Sequence, residues 1–133
     1  MRVFTAALIV LALLVLWDVG WWLAGVRPLS PWALKAELKR ADTPPPTLID
    51  VRTRAEYAFF HIPGAVNVPY PATLNELALA ALDPTKPVVV ICMTGHRSPP
   101  TVRQMQRGGY TDVRNLTGGM AVWKLFGGDT VSP

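Results

Sequence analysis

Four consecutive β-branched residues, Val88, Val89, Val90 and Ile91, constrain this chain more than any other stretch. An exposed face would demand polar residues at alternate positions. None occurs here, so the run predicts a strand buried on both faces, at the centre of a largely parallel sheet. Its surroundings suit that architecture. "TLIDV" (47–51), "AVNVP" (65–69) and "YTDVRNL" (110–116) read as shorter strands. Between them, "TRAEYAFFH" (53–61) reads as a two-turn helix closed by "IPGA". "TLNELALAALD" (73–83) reads as a helix with Thr73 as its cap and Glu76 three residues on, ended by Asp83-Pro84. "TVRQMQRGG" is helical, with Val102, Met105 and Gln106 at helical spacing and Gly108-Gly109 as its stop. "GGMAVWKLF" starts a last helix at Gly118-Gly119. Strands alternating with helices define an α/β domain, with a mostly parallel central sheet flanked by helices.

A different physics governs the N-terminus. Val3–Trp17 is fifteen residues without a charge; after Asp18 the apolar character resumes to Val26. As a helix these 24 residues would span roughly 36 Å, enough for a hydrocarbon core of about 30 Å. Trp17, Trp21 and Trp22 cluster where an aromatic belt would lie, with Asp18 at head-group depth. A cleaved signal peptide is the alternative, but a small-x-small cleavage site is missing near Asp18–Leu23. Residues 1–26 are therefore read as an N-terminal transmembrane helix. Residues 27–46 are read as a short amphipathic helix and a proline-rich connector: Ser30 caps, Pro31 opens the first turn, Leu34 and Leu38 share a face, and Pro44-Pro45-Pro46 stops it. Residues 47–130 form the core, about 30–130 with that first helix. Arg27, Lys35, Lys39 and Arg40 follow the apolar segment and only Arg2 precedes it, which predicts a single-pass protein with its soluble domain in the cytoplasm. A periplasmic or otherwise extracytoplasmic domain, anchored or secreted, is the alternative.

Composition excludes several functions. The chain has 133 residues and a net charge of +4, its basic residues scattered rather than in runs, so no nucleic-acid tract is indicated. Small anionic substrates or anionic lipid head groups suit this surface. A single cysteine rules out an intrachain disulfide and a Cys-rich metal site, and the two distant histidines give no zinc spacing.

That lone cysteine, Cys92, ends the central strand and opens "CMTGHRS" (92–98), ahead of a helix. In an open parallel sheet, ligands bind beyond the carboxyl ends of the strands. A loop curling before a helix N-terminus turns N–H groups inward, and the helix dipole adds partial positive charge. Thiolate is favoured there. Gly95 lets the backbone approach closely, while Arg97 and His96 add donors. The loop Met93, Thr94, Gly95, His96, Arg97 and Ser98 is thus a cradle for a sulfur anion or an oxyanion such as sulfite. Pro99 and Pro100 place the helix start nearer Pro100. A lone cysteine is commonly core filler; its position in this loop argues for a nucleophile instead.

"LIDVR…EY…HIPGAVNVP", "CMTGHRS" and "LTGGMAVW" resemble, in order, the three signature blocks of rhodanese-homology domains, which are single-domain sulfurtransferases. The resemblance covers about residues 30–130. It implies a rhodanese-like fold and a catalytic Cys92. That residue would take sulfane sulfur from thiosulfate or a persulfide donor and pass it to a thiol or cyanide acceptor. The resemblance implies that main-chain amides of 93–97 hold the terminal sulfur, and that Asp50 and Arg52 line or brace the loop. Arg97 would be the loop arginine, pairing with Asp50, and His61 mainly a turn residue. No metal or organic cofactor is implied. The partners implied are a small sulfur donor, a thiol acceptor supplied from outside and the membrane; protein partners are not identified. Met93 departs from the basic or polar residue many members carry, which makes the pocket less cationic and bears on the donor. A cysteine phosphatase or arsenate reductase is a rival, but such loops have five residues between Cys and Arg, and here there are four. A non-catalytic membrane-tethered module is the other rival; such degenerate relatives usually lack the cysteine.

Overall fold

The computed structural model describes residues 1–70 and 82–132. The predicted helix capped by Thr73 and Glu76 lies outside the described residues, but for its last two positions. Elements follow in the order α1 (Arg2–Leu23), β1 (Arg27–Leu29), α2 (Pro31–Lys39), β2 (Thr47–Asp50), α3 (Arg54–Phe59) and β3 (Val66–Asn67). Next among the described residues come β4 (Val88–Ile91), α4 (Pro99–Arg107), β5 (Val113–Leu116) and α5 (Gly119–Leu125). Among the described residues five strands pair in parallel in the order β1-β5-β4-β2-β3, with β4 in the middle. All four of its residues are buried. Val88 and Val90 face one core layer with Val102 and Met105 of α4. Val89 and Ile91 face the other, with Leu34 of α2 and Met120 and Trp123 of α5. Alternate strand side chains point to opposite faces, so one uninterrupted apolar run serves both layers.

Strand β1 was not anticipated from sequence. Residues 27–29 pair with Arg114–Leu116, so the sheet reaches into the segment read as a connector. Arg27 and Pro28 are exposed and only Leu29 is buried, which leaves no periodic signal to read. Proline is tolerated here because β1 is an edge strand. Helix α2 starts as expected: Ser30 Oγ accepts the Ala33 N–H at 3.2 Å and Pro31 opens the first turn. Helix α3 carries a reciprocal capping box between Thr53 and Glu56.

Helix α4 begins at Pro99, one residue before the expected start, and Ser98 is already helical at φ −79° and ψ −29°. A residue before proline disfavours that conformation. Here the hydrogen bonds of Ser98 in the cysteine loop offset the cost.

Helix α1 has no buried side chain; only Trp21, half-buried, packs on the core. Its end runs alongside α4. Trp17 meets His96, just before α4, and the Gly25 carbonyl accepts from Gln106 Nε2 in the last turn of α4 at 2.9 Å. The two helices therefore point the same way here, and Arg2–Leu16 projects past the carboxyl edge of the sheet, where Cys92 lies.

Candidate active site

Cys92 is fully buried at the carboxyl end of β4. Its Sγ accepts from the Gly95 N–H at 2.9 Å, the Arg97 N–H at 3.4 Å and the Ser98 hydroxyl at 3.4 Å. Three donors thus converge on one sulfur. The main-chain amides among these donors are those of Gly95 and Arg97, and they meet Sγ itself.

The loop closes this tightly because its backbone is held from outside. Gly95 has φ +84°, and a Cβ there would meet the Gly118 nitrogen at 2.9 Å and the Leu116 carbonyl at 3.0 Å. Only glycine meets both demands. Asn115, on β5, donates from Nδ2 to the Gly95 carbonyl at 3.1 Å and accepts from the Ser98 hydroxyl. The first turn of α5 grips the other side: Met120 N–H donates to the Cys92 carbonyl at 2.9 Å and Ala121 N–H to that of Met93 at 2.8 Å. "LTGGMAVW" thus braces the loop, and its Trp123 is buried in the core.

The loop residues face in different directions. Met93 is half-buried and packs against the core layer under α2 and α5, so its side chain serves packing. Thr94 is exposed, and its hydroxyl lies 3.0 Å from His96 Nδ1. Ser98 leaves the end of α4 without a side-chain cap because its hydroxyl is engaged with Asn115 and Cys92.

Arg97 does not pair with Asp50, as had been expected. Its guanidinium is held by both oxygens of Glu56 on α3, at 3.1 and 2.8 Å. Asp50 is already saturated: Arg52, two residues on, reaches it through Nε and Nη2 at 2.8 to 3.1 Å, and both side chains are fully buried. Arg52 also donates to the Phe60 carbonyl at 2.6 Å, and Asn67 Nδ2 donates to the carbonyls of Asp50 and Arg52. The Asp50–Arg52 pair therefore locks the ends of β2, α3 and β3 together beside the loop. The hydrogen bonds from Arg97, with help from Thr53, pull the Glu56 carboxyl down to about 2. His61 stacks on Tyr57 and exchanges backbone hydrogen bonds with Val131, which fits a turn role.

Three participants were not read from the sequence. Glu56 and Trp17 lie 41 and 79 residues from the loop positions they hold, and Asn115 lies 20 from Gly95 and 17 from Ser98.

Residues 32–125 match the family described as "Rhodanese-like domain". A protein of Allochromatium vinosum named "Sulfurtransferase" is 34% identical over 93 residues, spanning 70% of this chain and 85% of that protein. The thiosulfate:glutathione sulfurtransferase of Saccharomyces cerevisiae is 31% identical, over 62% of this chain and 67% of its own length. Among solved structures, the Alr3790 protein of Anabaena superposes with a TM-score of 0.71 at 29% identity, covering 78% of this chain and 91% of that one. With a cysteine cradle at the end of the central strand and these likenesses over most of its length, the chain belongs to the rhodanese-like family and is similar to its sulfurtransferases.

Proposed function

We propose that this protein moves sulfane sulfur through a persulfide on Cys92, from thiosulfate or a persulfide donor to a thiol or cyanide acceptor. The observation that carries the reading is the convergence of the Gly95 and Arg97 amides and the Ser98 hydroxyl on one sulfur. In the first half-reaction the Cys92 thiolate attacks the outer sulfur of the donor. The donor S–S bond breaks, and sulfite or a thiolate leaves with the electron pair. In the second, the acceptor attacks the terminal sulfur and Cys92 departs as thiolate. The chain has one cysteine, so the acceptor comes from outside it. The names of the yeast relative and of a Pseudomonas paraeruginosa relative, thiosulfate sulfurtransferase GlpE, 31% identical over 84 residues, support thiosulfate as a donor. The neutral Met93 and the pairing of Arg97 with Glu56 leave little free positive charge at the loop, which favours less highly charged persulfides beside it.

The same reading includes a tether. Helix α1 is long and apolar enough to cross a membrane, and the positive residues that follow it favour a cytoplasmic domain. Residues 3–16 stand clear of the domain and would extend about 21 Å, less than a hydrocarbon core of about 30 Å. The shortfall favours Trp17–Trp22, and the cysteine loop beside them, at the lipid interface. The direct test of the chemistry is sulfite release from thiosulfate with cyanide as acceptor. Wild type should turn over and Cys92→Ser should not; equal rates would refute the Cys92 mechanism.

A further inference from the structure

Among the described residues, two polar contacts between helix α1 and the cysteine loop both fall on His96. Trp17 Nε1 donates to the His96 carbonyl at 3.1 Å, and an Asp18 carboxylate oxygen lies 3.5 Å from His96 Nε2. Beyond these contacts a cleft of about 410 Å³ separates α1 from the loop, lined by Trp21 and Trp22 on one side and Gly95 and Asn115 on the other. The bond from Trp17 is thus a specific tie, not part of a continuous packed face.

The tied group matters because of what shares its peptide plane. In a trans peptide the carbonyl of one residue and the N–H of the next point in opposite directions and turn together. The His96 carbonyl belongs to the same plane as the Arg97 N–H, which points at Cys92 Sγ. Holding the carbonyl outward holds the N–H inward. No other hydrogen bond to the His96 carbonyl is seen among the described residues.

We propose that Trp17 is a positioning residue for the sulfur cradle: by fixing the His96–Arg97 peptide plane, the N-terminal helix aims one of the donors that converge on Cys92 Sγ. The proposal rests on Cys92 being the reacting sulfur. It assigns the end of α1 a part in the site, whether or not α1 crosses a membrane.

The test compares full-length wild type, Trp17→Phe and Trp22→Phe in detergent micelles, reading by intact mass how fast a small neutral thiol reagent modifies Cys92 across pH. Trp22 lines the same cleft without touching His96 by a hydrogen bond, and controls for general loosening. Weakening one donor to Cys92 Sγ should displace the Trp17→Phe profile from that of wild type and slow the reaction about threefold near neutral pH. Trp22→Phe should follow wild type. Profiles of Trp17→Phe and wild type that superimpose, or equal shifts in both variants, would overturn the proposal. Should Trp17→Phe fold poorly, benzothienylalanine at position 17 keeps the ring shape and removes only the N–H, with the same two outcomes. The readout needs no sulfur donor, so a wild type that takes up no sulfur would fail the proposed function alone.

Discussion

Gly119 shows how closely the cradle is built. Its φ is +55°, and a Cβ there would lie 2.3 Å from the Cys92 carbonyl oxygen and 2.7 Å from the Met93 carbonyl carbon. Both obstacles are backbone, so neither swings aside as a long side chain would. Moving them would pull Met120 and Ala121 off the carbonyls they hold. Gly119→Ala is expected to cost about 2 kcal/mol or more, a large fraction of the stability of a small domain. Chemical denaturation measures that loss, and a variant as stable as wild type would show that the helix start adapts freely. Sulfur uptake should fall further than stability alone explains, because the loop itself must shift.

Among the elements, α3 links its own cap to the cysteine loop. Glu56 closes the capping box with Thr53 and also holds Arg97. Its carboxyl is lowered from 4.5 to about 2 on folding. A depressed acid contributes stability that is fully present above the unfolded value and is lost as pH falls through the folded one. The contribution of Glu56 should therefore disappear between about pH 4.5 and about pH 2. Glu56→Gln, neutral throughout, should be less stable than wild type at pH 6 and converge on it toward the acid end. Parallel stability curves over that range would contradict the assignment. The elements also show what a sequence reveals. Strands β2, β4 and β5 and helices α2, α3, α4 and α5 were legible because apolar spacing, caps and glycine stops are local signals. Strand β1 was not, since its one structural reason is a parallel partner 87 residues away. The cysteine loop was legible because it is contiguous. Its supports from Glu56, Asn115 and Trp17 were not, because each depends on which elements the fold brings side by side. The expected Asp50–Arg97 pair fails for the same reason: opposite charges in two motifs do not tell which is already satisfied by a nearer partner.

At the scale of the molecule, the sheet delivers Cys92 to its carboxyl edge, and the apolar length of α1 leaves from that same edge. An anchored protein would present its reactive edge toward the lipid. Washing membranes with alkaline carbonate should leave the full-length protein in the pellet; its release would remove the tether from this account while leaving the chemistry intact. The central claim is that Cys92 carries sulfur. It is tested most directly by intact mass of wild type and Cys92→Ser after incubation with thiosulfate or glutathione persulfide. The account predicts a gain of one sulfur atom on wild type, lost on adding an external thiol, and no gain on Cys92→Ser. Failure of wild type to gain sulfur from either donor, or an equal gain on Cys92→Ser, would contradict it.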